Sequence, residues 1–124
     1  MEYHAYRCMV KFRMNAIITD KKCKPGYHHP DMLYDVIAIL ELTDERSVII
    51  KAYMYDAHQG ELYDTADYTI TYEDCTKADY NDADFIAEQI IIAFNQSSKH
   101  KFKVKLNEMK GFDKQILPNI DISI

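Results

Sequence analysis

The chain has 124 residues and a mass of 14.6 kDa, enough to enclose one core and too few for two conventional domains, so residues 1–124 are expected to form a single domain. With 48% hydrophobic and 28% charged residues it is neither a disordered nor a collagen-like chain. No apolar run exceeds five residues, far below the roughly 20 of a membrane span, and the leading MEYHAYR lacks the apolar core of a signal peptide, so a soluble, cytoplasmic protein with a modest net charge of −5 is expected.

In chain order, residues 8–18 come first. Every even position there is apolar (Cys8, Val10, Phe12, Met14, Ala16, Ile18), while Arg7, Lys11, Arg13 and Asn15 hold odd ones, the pattern of a strand with one buried and one basic face. Residues 24–31 (KPGYHHPD) then read as a turn or loop. Residues 33–42 and 48–55, rich in Ile, Val, Tyr and Leu at both parities, predict two central strands joined by a polar connector of hairpin length. A turn at 58–61 (HQGE) leads to a fourth strand at 67–73, where Tyr68, Ile70 and Tyr72 alternate with polar residues.

The period changes near Tyr80. Asn81 can cap a helix running to about residue 96, with Asp82 and Asp84 in its first turn, where the helix dipole favours negative charge. Ile86, Ala87, Ile90, Ile91, Ala93 and Phe94 fall on one broad arc able to lie on a sheet. Phe85 and Ile92 fall outside it, among Glu88, Gln89 and Gln96 on the expected wet side. Beyond the helix, residues 102–106 and 120–124 alternate again, and residues 110–113 (KGFD) read as a turn between them. The expected fold is therefore α+β: a mostly antiparallel sheet of about six strands, in the order β-β-β-β-α-β-β, with one main helix on one face.

Chemistry-bearing motifs are few. Cys8, Cys23 and Cys75 are odd in number and irregularly spaced, which argues for reduced thiols rather than a disulfide framework. Cys23, His28 and His29 share one loop, within conceivable reach of His4, His58 or Cys75. No two of them show the close pairing by which structural zinc sites grip the ion, so no metal or cofactor is expected. Nor is there a nucleophile elbow, a metalloprotease helix or a glycine-rich phosphate loop. A His28 or His29 pairing with Asp31 is the best acid–base candidate that remains, and a non-enzymatic protein is expected.

Charge is strongly segregated. Residues 56–88 carry ten acids against one lysine, Lys77, for a net −9, while the rest of the chain is +4. Tyr55, Tyr63, Tyr68, Tyr72 and Tyr80 are interleaved with those acids. Exposed strand edges and a helix start account for some of these acids. Acid mixed with tyrosine also suits a surface that captures a basic partner, because the field raises the association rate and buried rings lengthen residence. The candidate partner-binding residues are Asp64, Asp67, Glu73, Asp74, Asp79, Asp82 and Asp84, with Tyr63, Tyr72 and Tyr80 as anchors. The opposite field, Lys11, Arg13, Lys21, Lys22, Lys24, Lys101, Lys103 and Lys105, would make a basic face for nucleic acid if the first and fifth strands were neighbours. The acidic total and the company the aromatics keep weigh against that reading.

Residues 12–35 show a local similarity, at Gly26, Tyr27 and Pro30, to the carboxy-terminal β-barrel of elongation factor Tu-like proteins, but the helix expected from Asn81 has no place in such a barrel. In size and charge character the chain resembles small acidic bacterial immunity proteins and phage-encoded inhibitors. That resemblance implies a non-enzymatic inhibitor that neutralises a basic protein such as a nuclease toxin by masking its functional surface. The alternative expectation is a structural, self-assembling protein whose helices meet through Phe85 and Ile92.

Overall fold

The computed structural model describes residues 6–19, 32–43, 46–71, 77–97 and 103–117. The expected turn at 24–31 and the expected strand at 120–124 lie outside the described residues. The described strands are β1 (Tyr6–Thr19), β2 (Met32–Leu42), β3 (Ser47–Asp56), β4 (Leu62–Thr71) and β5 (Lys103–Leu117), with helix α1 (Ala83–Ser97) between β4 and β5. They form one antiparallel sheet in the order β4-β3-β2-β1-β5. The fold is thus α+β, with five strands among the described residues rather than six. Because β5 returns beside β1, β4 and β5 are the two edges among the described residues.

The alternation in β1 sets the register. Its even residues from Cys8 to Ile18 are buried, and they pair with even residues of β2 (Cys8 with Leu40, Val10 with Ala38), which pair in turn with Val48, Ile50, Ala52 and Met54 of β3. A slip of one residue anywhere would turn the whole apolar set to the opposite face. Ala38, Ala52 and Ala66 face one another across β2, β3 and β4. This row of small side chains makes the covered face shallow, and Ile86, Ile90 and Phe94 of α1 are fully buried.

On the other face, several bases lie opposite acids: Arg7 opposite Glu41, Lys11 opposite Asp113, Arg13 opposite Asp35 and Lys51 opposite Asp67. Arg13 Nε and Nη2 donate to both Asp35 carboxylate oxygens at 2.8 and 3.1 Å, and this hydrogen bonding holds the Asp35 carboxyl below its ordinary pKa. Both side chains are about half exposed, so the pair contributes less than about 1 kcal/mol. β1 and β5 are indeed neighbours. Lys11 lies opposite Asp113, and Arg13 lies between Asp35 and Lys110, so this stretch carries mixed charge, while Lys103 and Lys105 further along β5 lie opposite Thr19 and Ile17.

Two expectations along the chain are corrected. Residues 110–113 do not turn. β5 continues through them, and between the pairs Lys11–Asp113 and Arg13–Lys110 it carries one residue more than β1, with Gly111 at φ 65°. This is a bulge, for which a left-handed glycine serves as well as for a turn. A second extra residue falls between Glu108 and Leu106. The helix start also moves. Asn81 ends a 3-10 turn, Lys77–Asn81, and the cap is Asp82, whose Oδ1 accepts the N–H groups of Asp84 (2.9 Å) and Phe85 (3.2 Å) while its carbonyl accepts that of Ile86 (3.0 Å).

The helix is tied to both sheet edges. Ser97 Oγ accepts the Asp67 N–H of β4 at 3.1 Å, the Asn95 amide bonds both backbone groups of Val104 in β5, and Lys114 Nζ of β5 donates to the Tyr80 carbonyl at 2.8 Å. None of the helices in the described residues is long and apolar enough to cross a membrane.

Candidate functional site

Where α1 passes β4, a groove of about 450 Å³ opens between them, lined by Tyr68, Thr69, Ile70 and Thr71 of the strand and Phe85, Gln89 and Ile92 of the helix. Strand pleating presents both faces of the edge to it: Tyr68 and Ile70 lie on the core side, Thr69 and Thr71 on the other. On the helix, Phe85 and Ile92 do not project into solvent as expected. Both are half-buried, and Phe85 meets the Tyr80 ring edge-on at 5.2 Å. The wet side is narrower than the helical wheel suggested because Gln89 is also buried, at 8% exposure.

Asp84, Glu88 and Ile92 follow one another at i, i+4 spacing, so two exposed carboxylates run along the helix beside the apolar wall. Asp67, also exposed, stands on the strand side near Ser97. Neither β4 nor α1 contains a lysine or arginine. The exposed acids of α1 therefore run along the helix beside Ile92, whereas the Asp67 side chain lies on the other face of the sheet, opposite Lys51, and Glu88 joins the candidates chosen from sequence. Its i+4 spacing from Asp84 was the available signal.

The other candidates separate. Asp64 is buried, at 2% exposure, and its Oδ1 accepts the Thr65 N–H at 2.8 Å, so it is a structural group of β4 and not a steering charge. Tyr80, also 2% exposed, belongs to the core and is not an interface anchor. Tyr63 is half-buried with its ring 5.4 Å from that of Tyr34. Asp82 is exposed but serves as the helix cap, and Asp79, half-buried, accepts the Asp82 N–H through its carbonyl at 3.1 Å. Tyr72, Glu73 and Asp74 lie outside the described residues. The aromatic surface beside the acids is thus supplied by Tyr68 and Phe85.

Other chemistries find less support. Cys8 is buried in the core, and burial pushes its thiol pKa up, with Lys114 pulling weakly the other way, so it remains a protonated thiol. His4, Cys23, His28, His29, Asp31 and Cys75 lie outside the described residues, as do Gly26, Tyr27 and Pro30. Among the described residues no three His, Cys, Asp or Glu side chains form a metal-ligating group. A comparison with known protein families, curated proteins and solved structures finds no match. A second, smaller cleft of about 120 Å³ is lined by Arg13, Asn15, Leu33, Glu108 and Lys110. Its Arg13 is already engaged by Asp35 and Lys110 Nζ lies 3.6 Å from Glu108, so its charges largely satisfy one another.

Proposed function

We propose that this protein is a non-enzymatic binding protein that neutralises a basic partner, in the manner of an immunity protein or phage-encoded inhibitor acting on a nuclease, by covering the partner's functional surface. The observation that carries this reading is the groove between β4 and α1, where the exposed Asp84 and Glu88 run along the helix beside Ile92 of its apolar wall and neither element holds a base. The carboxylates steer a cationic surface toward the groove, and Tyr68, Phe85 and Ile92 supply the contact area that slows its departure.

The test is the association rate with a basic protein partner captured from the native host. Reversing Asp84 and Glu88 to Lys is expected to slow association at low salt by about tenfold or more and to flatten its salt dependence. Glu61→Lys, in the exposed turn between β3 and β4, serves as a single-charge control with a smaller effect. An association rate indifferent to both helix reversals would remove this surface from the function.

A further inference from the structure

The groove lies beside a sheet edge, and the hydrogen bonds along that edge are unevenly used. Asp67 donates its N–H to Ser97 Oγ at 3.1 Å, so the backbone of Asp67 faces away from β3. Two residues earlier, the Thr65 N–H is taken by the Asp64 carboxylate at 2.8 Å. In an antiparallel strand, successive residues turn their N–H and C=O alternately to the two sides. The same outward side is therefore presented by Thr69 and Thr71, which line the groove together with Tyr68 and Ile70. Among the described residues, the first half of this edge is closed by the protein's own side chains and the second half is left as a template.

The opposite edge is treated differently. β5 carries two bulges, alternates lysines at Lys103 and Lys105, and has Val104 closed by Asn95. These are the devices by which proteins discourage edge pairing. Residues Tyr68 to Thr71 have none of them: no charge, no proline, and the one irregularity between β3 and β4 sits at the other end of the strand, beside Tyr55.

We propose that the open end of β4 receives an extended, lysine- or arginine-rich segment of the partner as an added strand. Its backbone pairs with the N–H and C=O of Thr69 and Thr71, and its apolar side chains enter the groove against Tyr68, Phe85 and Ile92. This inference rests on the binding function proposed above and specifies its mode. Backbone pairing supplies a sequence-independent part of the affinity, while alternate side chains supply the selection. The occupant is basic because the exposed Asp84 and Glu88 run along α1 beside the groove and neither β4 nor α1 holds a cation to repel it. A second copy presenting its own β4 would bring the same acids together and is disfavoured.

The test uses the whole protein and a fluorescein-labelled peptide of alternating lysine and valine. A second peptide of identical sequence carries N-methyl groups on alternate amides along the pairing edge. The unmodified peptide is expected to bind at low salt, the methylated one about tenfold or more weakly, and amide exchange at Thr69 and Thr71 is expected to slow on binding of the first. Thr69→Pro, which removes an outward N–H of an edge strand, should abolish binding without lowering the melting temperature appreciably. If that variant does not fold, the two peptides and the exchange data on the unaltered protein decide. Equal binding of both peptides with unchanged exchange at Thr69 and Thr71 would overturn strand addition and leave the acidic surface standing. No binding of either peptide would overturn strand addition and count against the acidic groove as well. Concentration-dependent protection of Thr69 and Thr71 without peptide would assign the edge to a second copy and overturn the proposal.

Discussion

The side-chain amide of Asn95 does for β5 what a neighbouring strand would do: Oδ1 accepts the Val104 N–H at 2.6 Å and Nδ2 donates to the Val104 carbonyl at 3.3 Å. Val104 is 6% exposed, so its peptide groups need partners there, and the last turn of α1 provides both at once. Replacing Asn95 with alanine removes two hydrogen bonds and is expected to cost about 2 kcal/mol of unfolding free energy. Asn95→Asp, which keeps the acceptor and loses the donor, should fall between. Chemical denaturation measures both, and an alanine variant as stable as the parent would show that this tie carries no weight.

At the other end of the helix Asp82 holds two N–H groups of the first turn. Asp82→Ala is expected to destabilise the fold by about 1 kcal/mol, with Asp82→Ser recovering most of the loss. The consequence for function is direct. Asp82 was a candidate steering charge, yet changing it perturbs the helix that carries Asp84 and Glu88, so a binding defect in an Asp82 variant does not isolate charge. Thermal unfolding of the two substitutions separates capping from simple loss of an acid, because serine caps without carrying charge.

The sheet was legible wherever alternation is unbroken, and β5 shows where that legibility ends. Its residues that approach the helix side are Val104, Leu106, Met109, Phe112 and Lys114, all buried or half-buried. The spacing is regular at each end and widened by one residue at two places in the middle, where the bulges fall. A period-two pattern read past Leu106 therefore fails, and Gly111 suggests a turn because turns and bulges need the same left-handed backbone. The candidate site was partly legible for a different reason. Sequence shows which residues are acidic, but whether an acid or a tyrosine near a strand or helix start faces water depends on the tertiary fold. Hence Asp64 and Tyr80 proved to be buried, while Phe85 and Ile92, set apart by the helical wheel, mark the groove.

Gly111 offers a clean probe of the bulge. Its φ is 65°, and a Cβ placed there would meet nothing within 4 Å, so Gly111→Ala adds backbone strain without a clash. The expected loss is about 1 kcal/mol. It should not disturb the stacked contact of Phe12 with Phe112, whose centroids lie 6.3 Å apart, provided that the bulge is kept. A larger loss accompanied by a shifted aromatic near-ultraviolet spectrum would mean that the bulge itself collapses.

Tyr34 predicts how the fold responds to alkali. The side chain is buried, and burial first, then the neighbouring Tyr63 and Asp56, push its phenol up to about 12 from the usual 10. The unfolded chain therefore loses this proton before the folded chain does. Between about pH 10 and about pH 12 the unfolded state binds fewer protons, so this residue leaves stability unchanged below that interval and lowers it progressively across it. A shift of this size corresponds to a decline on the order of 2–3 kcal/mol. Tyr34→Phe removes the titrating group, so the difference in unfolding free energy between variant and parent should grow in the variant's favour across that interval. Parallel curves for the two proteins from about pH 10 to about pH 12 would mean that the Tyr34 hydroxyl reaches solvent and ionises normally.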